Sequence, residues 1–373
     1  MNSFDPSKIS AADDLVGKTI NGWFVKSKIQ AADPNQGETG GNFSICYIVE
    51  KDSKQYFMKV LDYKKGLSKP IPAGKTRTDV LGRFLLEFDY EKKLSSYCNT
   101  KKASKVILYI DSGETSLDDY FIPTVSYIVY EMANGNIRKF LDFSKKIDLA
   151  SGLRSIADKL KSLHDVATGI NSLHSIDISH QDIKPSNVMH FTNESKLGDL
   201  GRSLCFSQDI ECPYSLNFFW GDLNYAPPEA LFRYKLSDLR TNHYQADNYM
   251  LGGLIVFYLT GVSINALIEM HLPWNISMRE LYAKGVSFER ALPFLVDAFQ
   301  LAIADIKGCV PFESIRDNLA LIVEYLCCPD PARRGHPTNL VDSNRTPSYD
   351  LYKTITELDL MYRRAKLELS KLI

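Results

Sequence analysis

The run His180-Gln181-Asp182-Ile183-Lys184-Pro185-Ser186-Asn187, with Gly198-Asp199-Leu200-Gly201 close behind it, constrains this chain more than any other stretch. Taken alone, an Asp and an Asn in a loop are ordinary turn formers. Their company changes that reading. Upstream, Tyr56-Phe57-Met58-Lys59-Val60-Leu61 reads as a short apolar strand with one lysine embedded in it, a costly placement for a charge without a partner. The segment from Arg83 to Leu94 repeats its apolar residues at helical spacing and offers Glu87 and Glu91, four residues apart on one helical face.

In this order the segments resemble the eukaryotic-type (Hanks-type) protein kinase family, whose catalytic loop reads H-R-D-x-x-x-x-N and whose metal loop reads D-F-G. By that resemblance Asp182 accepts the proton of an attacking hydroxyl and Lys184 sits against the transferring phosphate. Asn187 and Asp199 become the oxygen ligands of Mg2+, and ATP becomes the cofactor. Such a mix suits phosphoryl transfer, in which dispersed negative charge is met by positioning and cations more than by covalent help. Lys59 resembles the lysine of the family's third strand. Glu87 is chosen as its ion-pair partner, because Leu94 then falls where the family's helix C has its following apolar anchor; Glu91 is the alternative. The stretch Thr39 to Tyr47 stands where the family has its phosphate-covering loop, and Gly40 and Gly41 would let backbone amides approach phosphate oxygens. Thr39 and Ser44 occupy the first and third glycine positions of that loop. Tyr127 to Asn136 resembles the hinge, so backbone groups of Glu131 and Ala133 are expected on the adenine edge with Tyr130 as gatekeeper. Gly17-Lys18-Thr19 lacks the upstream glycine of a Walker loop and reads as lead-in to the first strand.

Three downstream marks separate protein kinases from small-molecule phosphotransferases. Tyr225-Ala226-Pro227-Pro228-Glu229 resembles the A-P-E segment, Asp247 the aspartate heading helix F, and Arg334 the arginine that pairs with the A-P-E glutamate. A buried carboxylate far from the chemistry needs such a partner. The resemblance therefore implies protein substrates, and the lysine in Asp182-Ile183-Lys184 implies serine or threonine acceptors. The alternative is a pseudokinase scaffold or regulatory binding module. Four residues depart from the family pattern: Phe57 where alanine usually roofs the adenine pocket, Gln181 before the catalytic aspartate, Leu200 in the metal loop and Asp222 at a usual threonine. Glutamine has no charge for a phosphate to neutralise, so activity is expected without phosphorylation of the activation segment.

Length and composition fit this reading. A chain of 373 residues with 45% hydrophobic content can bury one large core or two adjacent ones. Basic and acidic residues number 44 and 45, so no global field points to nucleic acid or a membrane surface. The cysteine count is odd, at 7, without a C-x-x-C pair, which points to a reducing cytoplasm. The start carries no signal-peptide pattern, and the longest apolar run, Met250 to Gly261, is too short to span a bilayer. Strands with one strong helix over 15–133, followed by helical periodicity over 134–337, predict an α+β class. That is a two-lobed kinase-like fold, with a β-rich N-lobe carrying helix C and a mainly helical C-lobe. Residues 1–14 are expected as a polar N-terminal segment and 338–373 as a helical extension. Within the extension Leu351, Ile355, Leu358, Tyr362, Ala365, Leu369 and Leu372 form a heptad seam. It has three candidate surfaces: the large lobe, a second copy in a homodimer, or another partner. The stretches 62–81 and 271–313 exceed the family minimum.

Overall fold

The computed structural model describes residues 9–29, 44–141, 149–234, 238–273, 276–310, 312–340 and 349–372. The chain divides into two compact units, one of Met1–Lys102 with Ile107–Ala133, the other of Ala103–Val106 with Asn134–Ile373.

The first unit is an antiparallel sheet with helices on it. Its strands are β1 (Thr19–Ile20), β2 (Trp23–Lys28), β3 (Ser44–Lys51), β4 (Lys54–Leu61), β5 (Tyr109–Ser116) and β6 (Thr124–Glu131), in the order β1-β2-β3-β4-β6-β5. Period-two alternation gives the sheet two different faces. One collects Trp23, Val25, Tyr47, Val49, Met58, Val60, Val125, Tyr127 and Val129 into a core closed by Ala11, Ala12 and Leu15. The Tyr47 hydroxyl donates to the Ala12 carbonyl at 2.6 Å, so the stretch around residues 10–13 is built into this unit and does not stand before it as a separate polar segment. The other face turns Leu61, Ile128 and Tyr130 toward Phe84 and Phe88 of a long helix. Burying such side chains contributes roughly 1.5–3 kcal/mol apiece, enough to fix that helix to the sheet.

The stretch 62–81 is ordered by caps. Asp62 accepts the Lys65 N–H at 3.1 Å and starts α1 (Tyr63–Ser68). Thr76 and Asp79 exchange bonds in a capping box that starts α2 (Arg77–Thr100).

The second unit is mainly helical. It opens with β7 (Gly135–Asn136), α3 (Ile137–Phe140) and α4 (Leu149–His174). Short strands follow: β8 (Ile178–Ser179), β9 (Val188–His190), β10 (Ser195–Leu197) and β11 (Leu204–Cys205), pairing as β10-β9-β7 and β11-β8. Then come α5 (Pro228–Leu231), α6 (Leu239–Thr260), α7 (Ile264–Met270), α8 (Met278–Ala283), α9 (Phe288–Gly308), α10 (Glu313–Leu326), α11 (Pro337–Leu340) and α12 (Tyr352–Ser370). Much of the stretch 271–313 is thus α8 and α9. Helix α6 is buried from Gln245 to Tyr258 and forms the spine of this unit. Among the described residues no single helix is long and apolar enough to cross a membrane.

Helix α12 lies on α4, with α10 beside it. Its buried seam is Leu351, Thr354, Leu358, Met361 and Ala365, again spaced by three and four. Ile355, Tyr362 and Leu369, expected in that seam, form its half-buried flank, and Leu372 is exposed. Also on α4, the Asp165 carboxylate, fully buried, accepts from Lys161 at 2.6 Å, Lys105 at 3.2 Å and the Ser195 N–H at 3.1 Å. Burial alone would raise its pKa; the hydrogen bonds from His164, Lys161 and the Ser195 amide outweigh that and lower it to about 2. This carboxylate ties the 103–106 segment and β10 to α4.

Candidate active site

In the first unit Lys59 and Phe57 share the α2 face of β4. The Lys59 ammonium donates to both oxygens of Glu91, at 2.7 and 2.8 Å. This corrects the sequence-based choice of Glu87, whose carboxylate takes Arg83 at 2.9 Å, one turn back along α2. The apolar cue misled for a physical reason. One turn beyond Glu91 stands Ser95, and its hydroxyl is satisfied by the Tyr130 hydroxyl at 3.0 Å, which also reaches Glu91 Oε1 at 3.3 Å. The anchor does not discriminate, because Cys98, seven residues beyond Glu91 as Leu94 is beyond Glu87, is buried and apolar as well. Both charges are nearly buried, with side chains 12% and 6% exposed, so removing either would leave the other uncompensated at a cost of about 3–5 kcal/mol.

Tyr130, expected as the gatekeeper, is buried, and the Phe57 ring sits 6.4 Å from its ring at a tilt of 42°. Phe57 thus joins the aromatic cluster under β4 and β6. At the end of β6 the Glu131 N–H donates to the Leu108 carbonyl at 3.1 Å, and its carboxylate accepts the Leu108 N–H at 2.7 Å. That fixes the strand end where adenine contacts are expected. Ala133 follows, half-buried, and closes the unit. Gly40 and Gly41 lie outside the described residues.

In the second unit the catalytic-loop residues converge. Asp182 Oδ1 accepts the Asp222 N–H at 2.9 Å, while Oδ2 accepts Asn187 Nδ2 at 2.9 Å and lies 3.0 Å from Lys184 Nζ. Asn187 Nδ2 also donates to the Asp182 carbonyl at 2.8 Å, which leaves its amide oxygen as the atom turned away from Asp182. Lys184 reaches Asp222 as well, at 3.5 Å. Burial alone would lower the Lys184 pKa, but the carboxylates of Asp182, Asp222 and Asp199 hold it above the ordinary lysine value. The Gly198 N–H donates to the Asn187 carbonyl at 2.9 Å and so sets Asp199, exposed and with left-handed backbone (φ 59°), beside that loop. A carboxylate and an amide oxygen are hard donors of the kind Mg2+ takes, so this donor set fits the metal.

The loop is held from behind by Asp247, fully buried in α6. Its Oδ2 accepts from the His180 N–H at 2.8 Å, the Ser179 hydroxyl at 2.8 Å and His174 Nε2 at 2.9 Å, and its Oδ1 accepts the Gln181 N–H at 2.8 Å. Burial would raise this carboxyl, yet the donors, His174 foremost, keep it below the ordinary range. Gln181 needs that grip because its own backbone is left-handed (φ 67°). Against its carbonyl runs Gly221, where an added Cβ would stand 1.8 Å from the Gln181 oxygen. Only glycine lets the two backbones pass. Farther off, Arg334 and Glu229 form the expected pair, fully buried, bidentate at 2.5 and 2.8 Å, with Arg334 also over the Tyr249 ring at 4.9 Å.

A protein kinase domain model matches residues 41–344. A probable serine/threonine-protein kinase FMP48 of Saccharomyces cerevisiae is 31% identical over 190 residues, 47% of each chain. Mitogen-activated protein kinase kinase kinase 8 of Rattus norvegicus is 32% identical over 96 residues, 26% of this chain and 19% of that protein. Testis-specific serine/threonine-protein kinase 1 of Mus musculus is 24% identical over 180 residues, 42% of this chain and 49% of the relative. The chain spans about half or less of the length of these relatives. With the family model covering most of the chain and its marker residues standing in bonded geometry, the chain belongs to the protein kinase family.

Proposed function

We propose that this protein is a serine/threonine protein kinase that transfers the γ-phosphoryl group of ATP to protein hydroxyls without needing a phosphate on its activation segment. The observation that carries this reading is the Asp182 carboxylate, oriented through Oδ1 by the Asp222 amide and through Oδ2 by Asn187. So held, it is the base for the attacking hydroxyl, and Lys184, kept charged beside it, meets the negative charge of the migrating group. Magnesium-bound ATP supplies the electrophilic phosphorus and the divalent charge that neutralises the leaving phosphates. Asn187 and Asp199 are the residues that would hold the metal, and Lys59, fixed by Glu91, is the cation for the nucleotide phosphates. The named relatives that carry "serine/threonine-protein kinase" favour the hydroxyl acceptors.

The test is transfer of labelled phosphate from ATP with magnesium to lysate proteins, with sites mapped by mass spectrometry. Asp182→Asn is expected to lower kcat by about 10² or more, the scale of a lost general base. Phosphotyrosine as the main product would overturn the acceptor class. Phosphatase-treated protein is expected to keep most of its initial rate; a collapse reversed by rephosphorylation within residues 202–220 would overturn independence from the segment's phosphate.

A second reading, a scaffold that binds partners without transferring phosphate, is favoured by one observation: the Phe57 ring beside Tyr130 narrows the space where adenine is expected. Nucleotide binding with no transfer to any lysate protein would select it.

A further inference from the structure

Gln181 makes a contact that an arginine in its place could make only by burying a charge. Its side chain is fully buried, with Nε2 donating to the Ser179 hydroxyl at 2.7 Å, and its Oε1 lies 3.0 Å from His243 Nδ1. The other nitrogen of that ring, His243 Nε2, lies 2.8 Å from the carbonyl oxygen of Leu216. Leu216 belongs to the activation segment, a short way before Gly221 and Asp222, which meet the Gln181 carbonyl and the Asp182 carboxylate. His243 is 3% exposed and stands on α6, the helix whose Asp247 grips the catalytic loop.

A carbonyl oxygen only accepts, so Nε2 carries a hydrogen. Burial holds His243 below the ordinary histidine pKa, which makes the neutral ring with Nε2–H the prevailing form and leaves a lone pair on Nδ1. A primary amide serves that nitrogen in either form. With Nε2 on Ser179, the amide oxygen faces Nδ1 and accepts only from an imidazolium; for the neutral ring that burial favours, the amide turns over, its NH2 donating to Nδ1 and its oxygen accepting the Ser179 hydroxyl in place of Asp247. A guanidinium only donates and would add a charge to a buried site, where an anion would then be needed to neutralise it. We infer that His243 is a positioning residue, and that Gln181, His243 and the Leu216 carbonyl form an uncharged strap that seats the activation segment on the catalytic loop without phosphate. The strap deepens the kinase reading and rests on it for its consequence: it keeps the Asp222 amide on Asp182.

Two measurements on the full chain separate the strap from that reading. In wild-type protein with 15N-labelled histidine, the His243 ring is expected to be protonated at Nε2; a neutral Nδ1–H tautomer would overturn the strap, because Leu216 would then face a lone pair. Hydrogen exchange then follows the amides of residues 214–222. His243→Phe keeps a ring but no donor and is expected to speed this exchange about tenfold, the equivalent of one neutral hydrogen bond. His243→Gln, which restores a donor, is expected to recover most of that loss, and Gln181→Asn, which withdraws the amide, is expected to imitate His243→Phe. In transfer assays His243→Phe is expected to raise KM for a protein substrate and to lower kcat, with KM for ATP unchanged. Equal exchange in wild type and His243→Phe would overturn the strap, and so would a loss that His243→Gln leaves unrepaired. Should His243→Phe not fold, the wild-type ring spectrum and Gln181→Asn still decide. Absence of transfer by the wild type would remove the kinase reading and leave the exchange result standing.

Discussion

Glu91 holds Lys59 through both carboxylate oxygens, at 2.7 and 2.8 Å, while Glu87 on the preceding turn is bound by Arg83. Two glutamates on one face of α2 therefore have unequal importance. Glu91→Gln is expected to lower kcat/KM for ATP-dependent transfer at least about tenfold and to lower Tm, since Lys59 would lose its countercharge in a nearly buried site. Glu87→Gln is expected to change either quantity little, because the Arg83 pair is partly exposed. Equal losses in the two variants would refute the assignment.

Lys184 stands between two carboxylates, Asp182 at 3.0 Å and Asp222 at 3.5 Å. The Asp222 side chain, at a position where the family usually has threonine, thus reaches Lys184 directly. A double-mutant cycle on Lys184→Ala and Asp222→Ala should give non-additive losses in kcat, with a coupling on the order of 1 kcal/mol. Additive losses would mean that the two side chains act independently and that only the Asp222 backbone matters.

Gly221→Ala should be among the most damaging single substitutions. The new methyl would meet the Gln181 carbonyl, a backbone atom with no rotamer to escape into, so the segment must shift and take the Asp222 amide off Asp182. Transfer activity is expected to fall by about 10² or more, as when a catalytic group is displaced by an ångström. Retention of more than half the activity would show that the segment can reseat.

Acid stability should report on Asp165. Its folded pKa, about 2, lies below the usual carboxylate value, so the stability it contributes is present above the unfolded pKa near 3.9 and lost as pH falls through about 2. Asp165→Asn is expected to flatten the fall in Tm between roughly pH 4 and pH 2, starting from a lower plateau. Parallel Tm curves for the two proteins across that window would assign the acid sensitivity elsewhere.

The catalytic loop is readable because its residues are close in sequence, and the Arg334–Glu229 pair, though 105 positions apart, is legible through the resemblance that implies it. The helix C partner is not legible from an apolar anchor, because Leu94 and Cys98, seven residues beyond Glu87 and Glu91, are both buried; what marks Glu91 is the Ser95–Tyr130 contact beside it. That contact joins residues 35 positions apart, which periodicity does not encode. His243 escaped notice for the same reason, being 62 positions from Gln181 and lying in a run of α6 that reads simply as buried helix. The α12 seam was read with the right period but two members short, since Thr354 is polar and Met361 lies beside a tyrosine, and composition alone favours Ile355 and Tyr362.

The match to the family ends at residue 344, and α12 begins after it. Yet Leu358, Met361 and Ala365 are buried against α4, and the Leu351 N–H is capped by Asn171 of that helix at 3.2 Å. A protein trimmed to the matched span would leave an oily groove along α4 open to water, prone to self-association. The boundary that sequence likeness suggests is therefore not the boundary of the folding unit, and α12 must travel with the catalytic residues in any excised fragment.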